Sequence, residues 1–203
     1  MDMNSQMEEL RTCINLMSRK IQEIFDQTIR ALESRNESDA KKILVADDEI
    51  DNLEVDTDRR CMYLLALKEP YAHDFRYIYS AIKTAGDLER IGDECKTIAK
   101  WSLKLNSALD PKIKELSSAS AKCLEAGVNA LIHFDLNEAK RCLELEYEVD
   151  AIEDMIINKP GVTVPEAFIA KALERISDLS TNISENIIFS EKAIDIRHGQ
   201  YQK

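Results

Sequence analysis

Six residues occur twice in this chain. Leu88–Asp93 reads LERIGD and Leu173–Asp178 reads LERISD, with only Gly92 exchanged for Ser177. Each copy sets a Glu and an Asp four residues apart, Glu89 with Asp93 and Glu174 with Asp178. On a helix that spacing stacks two carboxylates on one face, at a like-charge cost of roughly 0.2–0.5 kcal/mol. A second match supports the first: Asp39–Asp51 (DAKKILVADDEID) pairs with Glu138–Asp150 (EAKRCLELEYEVD), identical at five of thirteen positions. The two matches have offsets of 99 and 85, so the second copy has lost 14 residues between its matched segments. Fourteen residues is about four helical turns, or two from each of two antiparallel helices, a shortening that can keep the packing register. The chain must therefore fold as two copies of one helical unit.

The spacing of apolar residues and the few breakers predict six helices and no strand. The first covers about Met3–Glu33, and the second runs from Asp39, with Ser38 as cap, to about Lys68 before Pro70. The third runs from Tyr71 to about Leu105. The fourth is opened by Asp110–Pro111 and ends near His133; Asp135 caps the fifth, which reaches about Asn158. The loop Lys159–Pro165 precedes the sixth, Glu166 to about Arg197, and a polar tail. The expected architecture is all-α: two tandem antiparallel three-helix bundles related by the repeat, residues 1–107 and 108–203. Gly86 and Gly92, inside the third helix, are expected at close helix contacts.

A formal charge of −11 argues against binding nucleic acid or an anionic lipid surface and favours cations or basic partners. The five cysteines have no metal-site spacing and read as buried, reduced thiols. The first ten residues are acidic and polar, unlike a secretory signal, and no apolar run approaches a membrane span. A cytoplasmic protein without membrane insertion is expected.

The repeat supplies four acidic pairs at one spacing: Asp47/Asp51, Glu89/Asp93, Glu146/Asp150 and Glu174/Asp178. At 100° per residue the first three lie on flanks of the apolar stripes, and Glu174/Asp178 fall farther away. Flanks of adjacent antiparallel helices can meet along a groove, gathering four acids in each unit. Oxygen donors alone suit magnesium, calcium, manganese or iron, and zinc less well. The other reading is a solvated face laced with salt bridges, and Asp47–Asp58, with seven acids in twelve residues, makes chance spacing cheap. Arg90 and Arg175 are read as balancing the acids beside them. No nucleophile elbow, P-loop, dinucleotide fingerprint or Glu-x-x-His pair is present, which argues against catalysis.

Four features together resemble the PhoU family: the acidic DDEID, Pro70–Arg76 (PYAHDFR), LERIGD, and the second copy followed by LSTNISE. The resemblance spans essentially the whole chain. It implies a six-helix fold, metal ions or multinuclear iron clusters held by the eight acids named above, and a homodimer. It also implies a cytoplasmic adaptor between a phosphate ABC transporter and a sensor histidine kinase, acting as a negative regulator of the phosphate-starvation response. Asp74 and Arg76 match the family's P-x-A-x-D-L-R segment and are carried over as partner-binding candidates beside a helix-start salt bridge. The family's Asp-His-Ala after the motif reads Asp93-Glu94-Cys95 here and Asp178-Leu179-Ser180 in the second copy. The alternatives are a metal-handling helical protein and a regulator of a different transporter.

Overall fold

The computed structural model describes residues 2–44 and 48–196. Among them are seven helices and no strand: α1 Met3–Ser34, α2 Glu37–Ile43, α3 Asp48–Leu67, α4 Ala72–Ser102, α5 Pro111–His133, α6 Leu136–Ile157 and α7 Val164–Lys192. The starts follow from side-chain chemistry. Asp110 and Asp135 accept backbone N–H groups ahead of α5 and α6, and Thr163 closes a capping box with Glu166 ahead of α7.

The expected second helix is divided. It opens two residues early, capped by Asn36 rather than Ser38, and α2 stops at Ile43 before α3 opens at Asp48. The acids that begin at Asp47 suit a helix start, where the dipole favours negative charge, better than a helix middle. The third helix ends at Ser102, not Leu105, because Leu105 turns into the core while its carbonyl accepts from Arg35 (2.5 Å). The last helix ends at Lys192. Ala193 takes a left-handed φ of 56°, and the reversal lays Ile196 against Ala130, Ala139 and Ile188. The shortening of the second unit falls where the offsets place it. Beyond its matched acid α3 runs from Asp51 to Leu67, whereas α6 runs from Asp150 only to Ile157; α4 and α7 begin at Ala72 and Val164.

In the first unit α1 meets α3 through Arg60–Glu9 (2.6 Å) and Cys13–Thr57 (3.2 Å), and in the second α6 folds back between α5 and α7. The units join along α4 and α7, which pack antiparallel. Arg76 Nε donates to the Ser190 carbonyl (3.0 Å) and Ser80 Oγ to the Asn186 carbonyl (3.0 Å). Arg175 meets Glu94 at 3.2 Å, and Trp101 stacks on Phe168 with ring centroids 4.3 Å apart. These contacts run in opposite order along the two helices, so the two motif copies lie side by side. One hydrophobic core runs from Met7 to Ile187 through both units.

The helical glycines differ in what a side chain there would meet. At Gly92 a Cβ would stand 3.4 Å from the tip of Ile21 and at Gly86 3.7 Å from the Glu54 carboxylate, ordinary contact at both of the positions expected to be close. Gly127 is tighter: a Cβ there would lie 3.0 Å from the Ser180 carbonyl oxygen. Replacing a helical glycine by valine should add a few tenths of a kcal/mol of propensity, but overpacking costs about 1–3 kcal/mol. With backbone as the neighbour, packing wins. Gly127→Val should lower the urea midpoint of the full chain, and a raised midpoint would show that α5 and α7 can part at no cost.

Candidate metal centre

In the second unit α6 presents Glu146 and Asp150 one turn apart, and α7 presents Glu174 and Asp178. The α6–α7 hairpin brings them together. Asp150, Glu174 and Asp178 each offer a carboxylate oxygen, all within 4.8 Å of one another. Glu146, one turn before Asp150 on α6, lies near this group and acts on Asp178 through its charge. Asp150 is exposed and the other three are half-buried, so Asp178 and Glu174 lie deeper than their helical phase suggested, because α6 covers them.

The charges here are poorly compensated. Two like charges at this separation repel by about 3 kcal/mol at an effective dielectric near 20. Burial, then Glu174, Glu146 and Asp150, push the Asp178 carboxyl up to about 7. Burial, Asp150 and Glu185 also raise Glu146, while the nearby Asp178 pulls the other way. Lys171 faces the group, divided between Glu174 (3.4 Å) and the buried Glu153 (3.1 Å). Burial and mutual repulsion thus keep Asp178 protonated to a higher pH than an isolated carboxyl.

The first unit has a looser version. Burial, then Asp93, Glu54 and Asp51, push Glu89 up to about 7. Asp51 and Asp93 are exposed, and Asp93 pairs with Lys96 at 2.5 Å. Among the described residues no three carboxylate oxygens here lie as close as those of the second unit. Asp47 lies outside the described residues.

Other acids join that the repeated spacing did not mark. Glu54 approaches α4 at Gly86 and acts on Glu89, and Glu185 acts on Glu146. Glu54 sits one turn from Asp51, and Glu185 two turns from Asp178; that phase was the available signal. Glu94 lies between the units, where Asp93 and Glu174 both act on it, and Arg175 turns to it rather than to the acids of its own motif. Arg90 pairs with Asp87 at 3.8 Å, and burial pushes the Asp87 carboxyl up to about 6. Asp74 and Arg76 lie apart from the clusters. Asp74 stands in the first turn of α4, 3.7 Å from His73, and Arg76 reaches the end of α7.

A family model described as the PhoU domain matches residues 14–102 and again 113–187. The phosphate-specific transport system accessory protein PhoU of Serratia marcescens is 28% identical over 210 residues, covering 96% of this chain and 86% of its own. An accessory-protein PhoU homolog of Aquifex aeolicus is 33% identical over 158 residues, 75% of this chain and 71% of its own. The crystal structure of PhoU from Pseudomonas aeruginosa superposes with a TM-score of 0.87 at 24% identity, covering 94% of this chain and 99% of that one. At that identity the likeness is one of fold.

The raised carboxyls set the sign of a pH dependence. Unfolded, Asp87, Glu89 and Asp178 release their protons near pH 4; folded, they hold them to about 6, 7 and 7. Between those values the unfolded state binds fewer protons, so stability falls as pH rises and levels off above the folded values. The metal-free chain should therefore show a lower urea midpoint at pH 8 than at pH 5, and Asp178→Asn should flatten the slope. A midpoint that rises over this interval would contradict the geometry.

Proposed function

The chain belongs to the PhoU family, and on that premise we propose that it is a non-enzymatic, metal-binding regulator of phosphate uptake and phosphate-starvation signalling. It works in the cytoplasm as a homodimeric adaptor between the ATPase subunit of a phosphate ABC transporter and a sensor histidine kinase, and holds the starvation response down. The regulatory part is supported by relatives described as transport-system accessory proteins that align over 96% of this chain. No helix among the described residues is long and apolar enough to cross a membrane, which fits docking onto membrane partners rather than insertion.

The observation that carries the metal part is the convergence of Asp150, Glu174 and Asp178. All the donors are carboxylate oxygens, a set that suits iron, manganese or magnesium better than zinc. Asp150, Glu174 and Asp178 would hold a cation, with Glu146 beside them. In the first unit Asp51, Glu89 and Asp93, together with Asp47, are assigned the same role. A bound cation supplies the charge balance that Lys171 only begins to provide. The residues do the rest: Asp178 gives up the proton that its raised carboxyl holds, and acids from two helices fix the α6–α7 hairpin. Cation binding is thereby linked to proton release and to the shape of a face offered to partners.

Purification without chelators followed by elemental analysis tests the metal. Iron, manganese or another hard cation should accompany the chain, and Asp150→Asn/Glu174→Gln/Asp178→Asn should lose the second-unit metal while keeping the helical circular dichroism. Equal metal in wild type and variant would exclude this site. The regulatory part has its own measurement. A tagged chain should retain a transporter ATPase or a histidine kinase from its host, and deletion should raise phosphate-responsive expression under phosphate excess. Neither partner captured and expression unchanged would overturn the assignment.

A further inference from the structure

Two thiols in the second unit stand in contact without a bond. Cys123 on α5 and Cys142 on α6 have their Sγ atoms 3.5 Å apart, and both are free and fully buried. The Cys123 thiol also donates to the Cys142 carbonyl at 3.5 Å, and the Cys142 thiol to the Cys123 carbonyl at 3.3 Å, so each side chain is turned to the opposite helix. The other three cysteines are placed differently. Cys13 faces the Thr57 hydroxyl, and Cys61 and Cys95 belong to the main core.

Cys123 and Cys142 form with Ala126 a small apolar cluster outside the main core, flanked by the partly buried Leu145. Cys142 lies in the second turn of α6, near a helix end where local opening is least costly. The position also matters for the site above it. Cys142 is one turn ahead of Glu146, and the Cys123 thiol lies 3.8 Å from the carbonyl of Ser177, the neighbour of Asp178.

We propose that Cys123 and Cys142 are a reversible disulfide-forming pair, an oxidation site that locks the α5–α6 hairpin beneath the second carboxylate cluster. The sulfurs must close from 3.5 Å to about 2.05 Å. The co-reactant is a peroxide. The Cys142 sulfur attacks one peroxide oxygen, the O–O bond breaks, and the departing hydroxide takes up the thiol proton as water, leaving a sulfenic acid. The Cys123 sulfur then displaces that oxygen, the S–S bond forms, and the second hydroxide leaves as water with the Cys123 proton. Two thiols and one peroxide become one disulfide and two waters: two electrons leave the sulfurs and two enter the peroxide. A dithiol reverses the step by exchange.

The test uses the full chain, hydrogen peroxide, alkylation of remaining thiols and tryptic mass mapping. Trypsin cuts after Lys122, Lys140 and Arg141, which places the two cysteines on separate peptides. In the folded chain these peptides should appear joined as the predominant intramolecular disulfide, with helical circular dichroism unchanged, and dithiothreitol should part them. Cys142→Ser should abolish the joined species without creating another intramolecular bond. The oxidised chain should show a higher urea midpoint than the reduced one, since the bond closes a loop in the unfolded chain. The proposal fails if both thiols remain alkylatable after peroxide, if a different pair forms first in the folded chain, or if this pair joins only in urea. It fails equally if oxidation leaves the midpoint unchanged or lowers it. None of these readings depends on a bound cation, so they stand apart from the metal measurement.

Discussion

The antiparallel contact of α4 with α7 is the constraint on which the rest of the molecule depends. Around it Leu88 and Ile91 from one copy of the motif and Leu173 and Ile176 from the other enter the common core, all at 0% exposure. Each fully buried Leu or Ile contributes about 1.5–3 kcal/mol, against a few tenths for two carboxylates at i,i+4. The apolar residues therefore decide how each helix is turned, and the acids between them go where that rotation leaves them, on the flanks that α3 and α6 then cover. The like-charge cost of the motif is imposed by packing.

The two acidic clusters differ although they descend from one pattern. In the second unit a short hairpin lays α6 close over α7, so Asp178 is half-buried and its carboxyl rises to about 7 with three other acids acting on it. In the first unit the same rise at Glu89 comes with Asp51 and Asp93 exposed and Lys96 on Asp93. Burial is the leading cause at both positions. Between the clusters Glu94 and Arg175 form a bridge across the seam, so an arginine that sequence neighbourhood would give to Glu174 or Asp178 belongs to the other unit.

Much of this was legible from the residues. The caps at Asp110 and Asp135, the missing strands, and the two-turn shortening of both helices in the second hairpin follow from local chemistry and from counting offsets. The division of the second helix was harder to see, because Asp39–Lys68 keeps an apolar period and contains no proline or glycine before Pro70. A periodicity count does not weigh the acidic run that opens α3. Among the acids, the repeat marks the pairs but not the neighbours that join them. Glu54 and Glu185 enter through the approach of a second helix, and Glu153 through Lys171, and these are distances no single helix contains.

Sequence alone determined that this chain is a doubled helical unit with paired carboxylates on the edges of its apolar faces, because periodicity, capping and repetition are properties of neighbouring residues. Tertiary structure alone decided which acids meet, which cation each one faces, and that Cys123 and Cys142, nineteen residues apart, stand sulfur to sulfur. Those outcomes depend on how helices are rotated and offset against one another. That rotation and offset are set by the burial of the whole core, not by any stretch of chain.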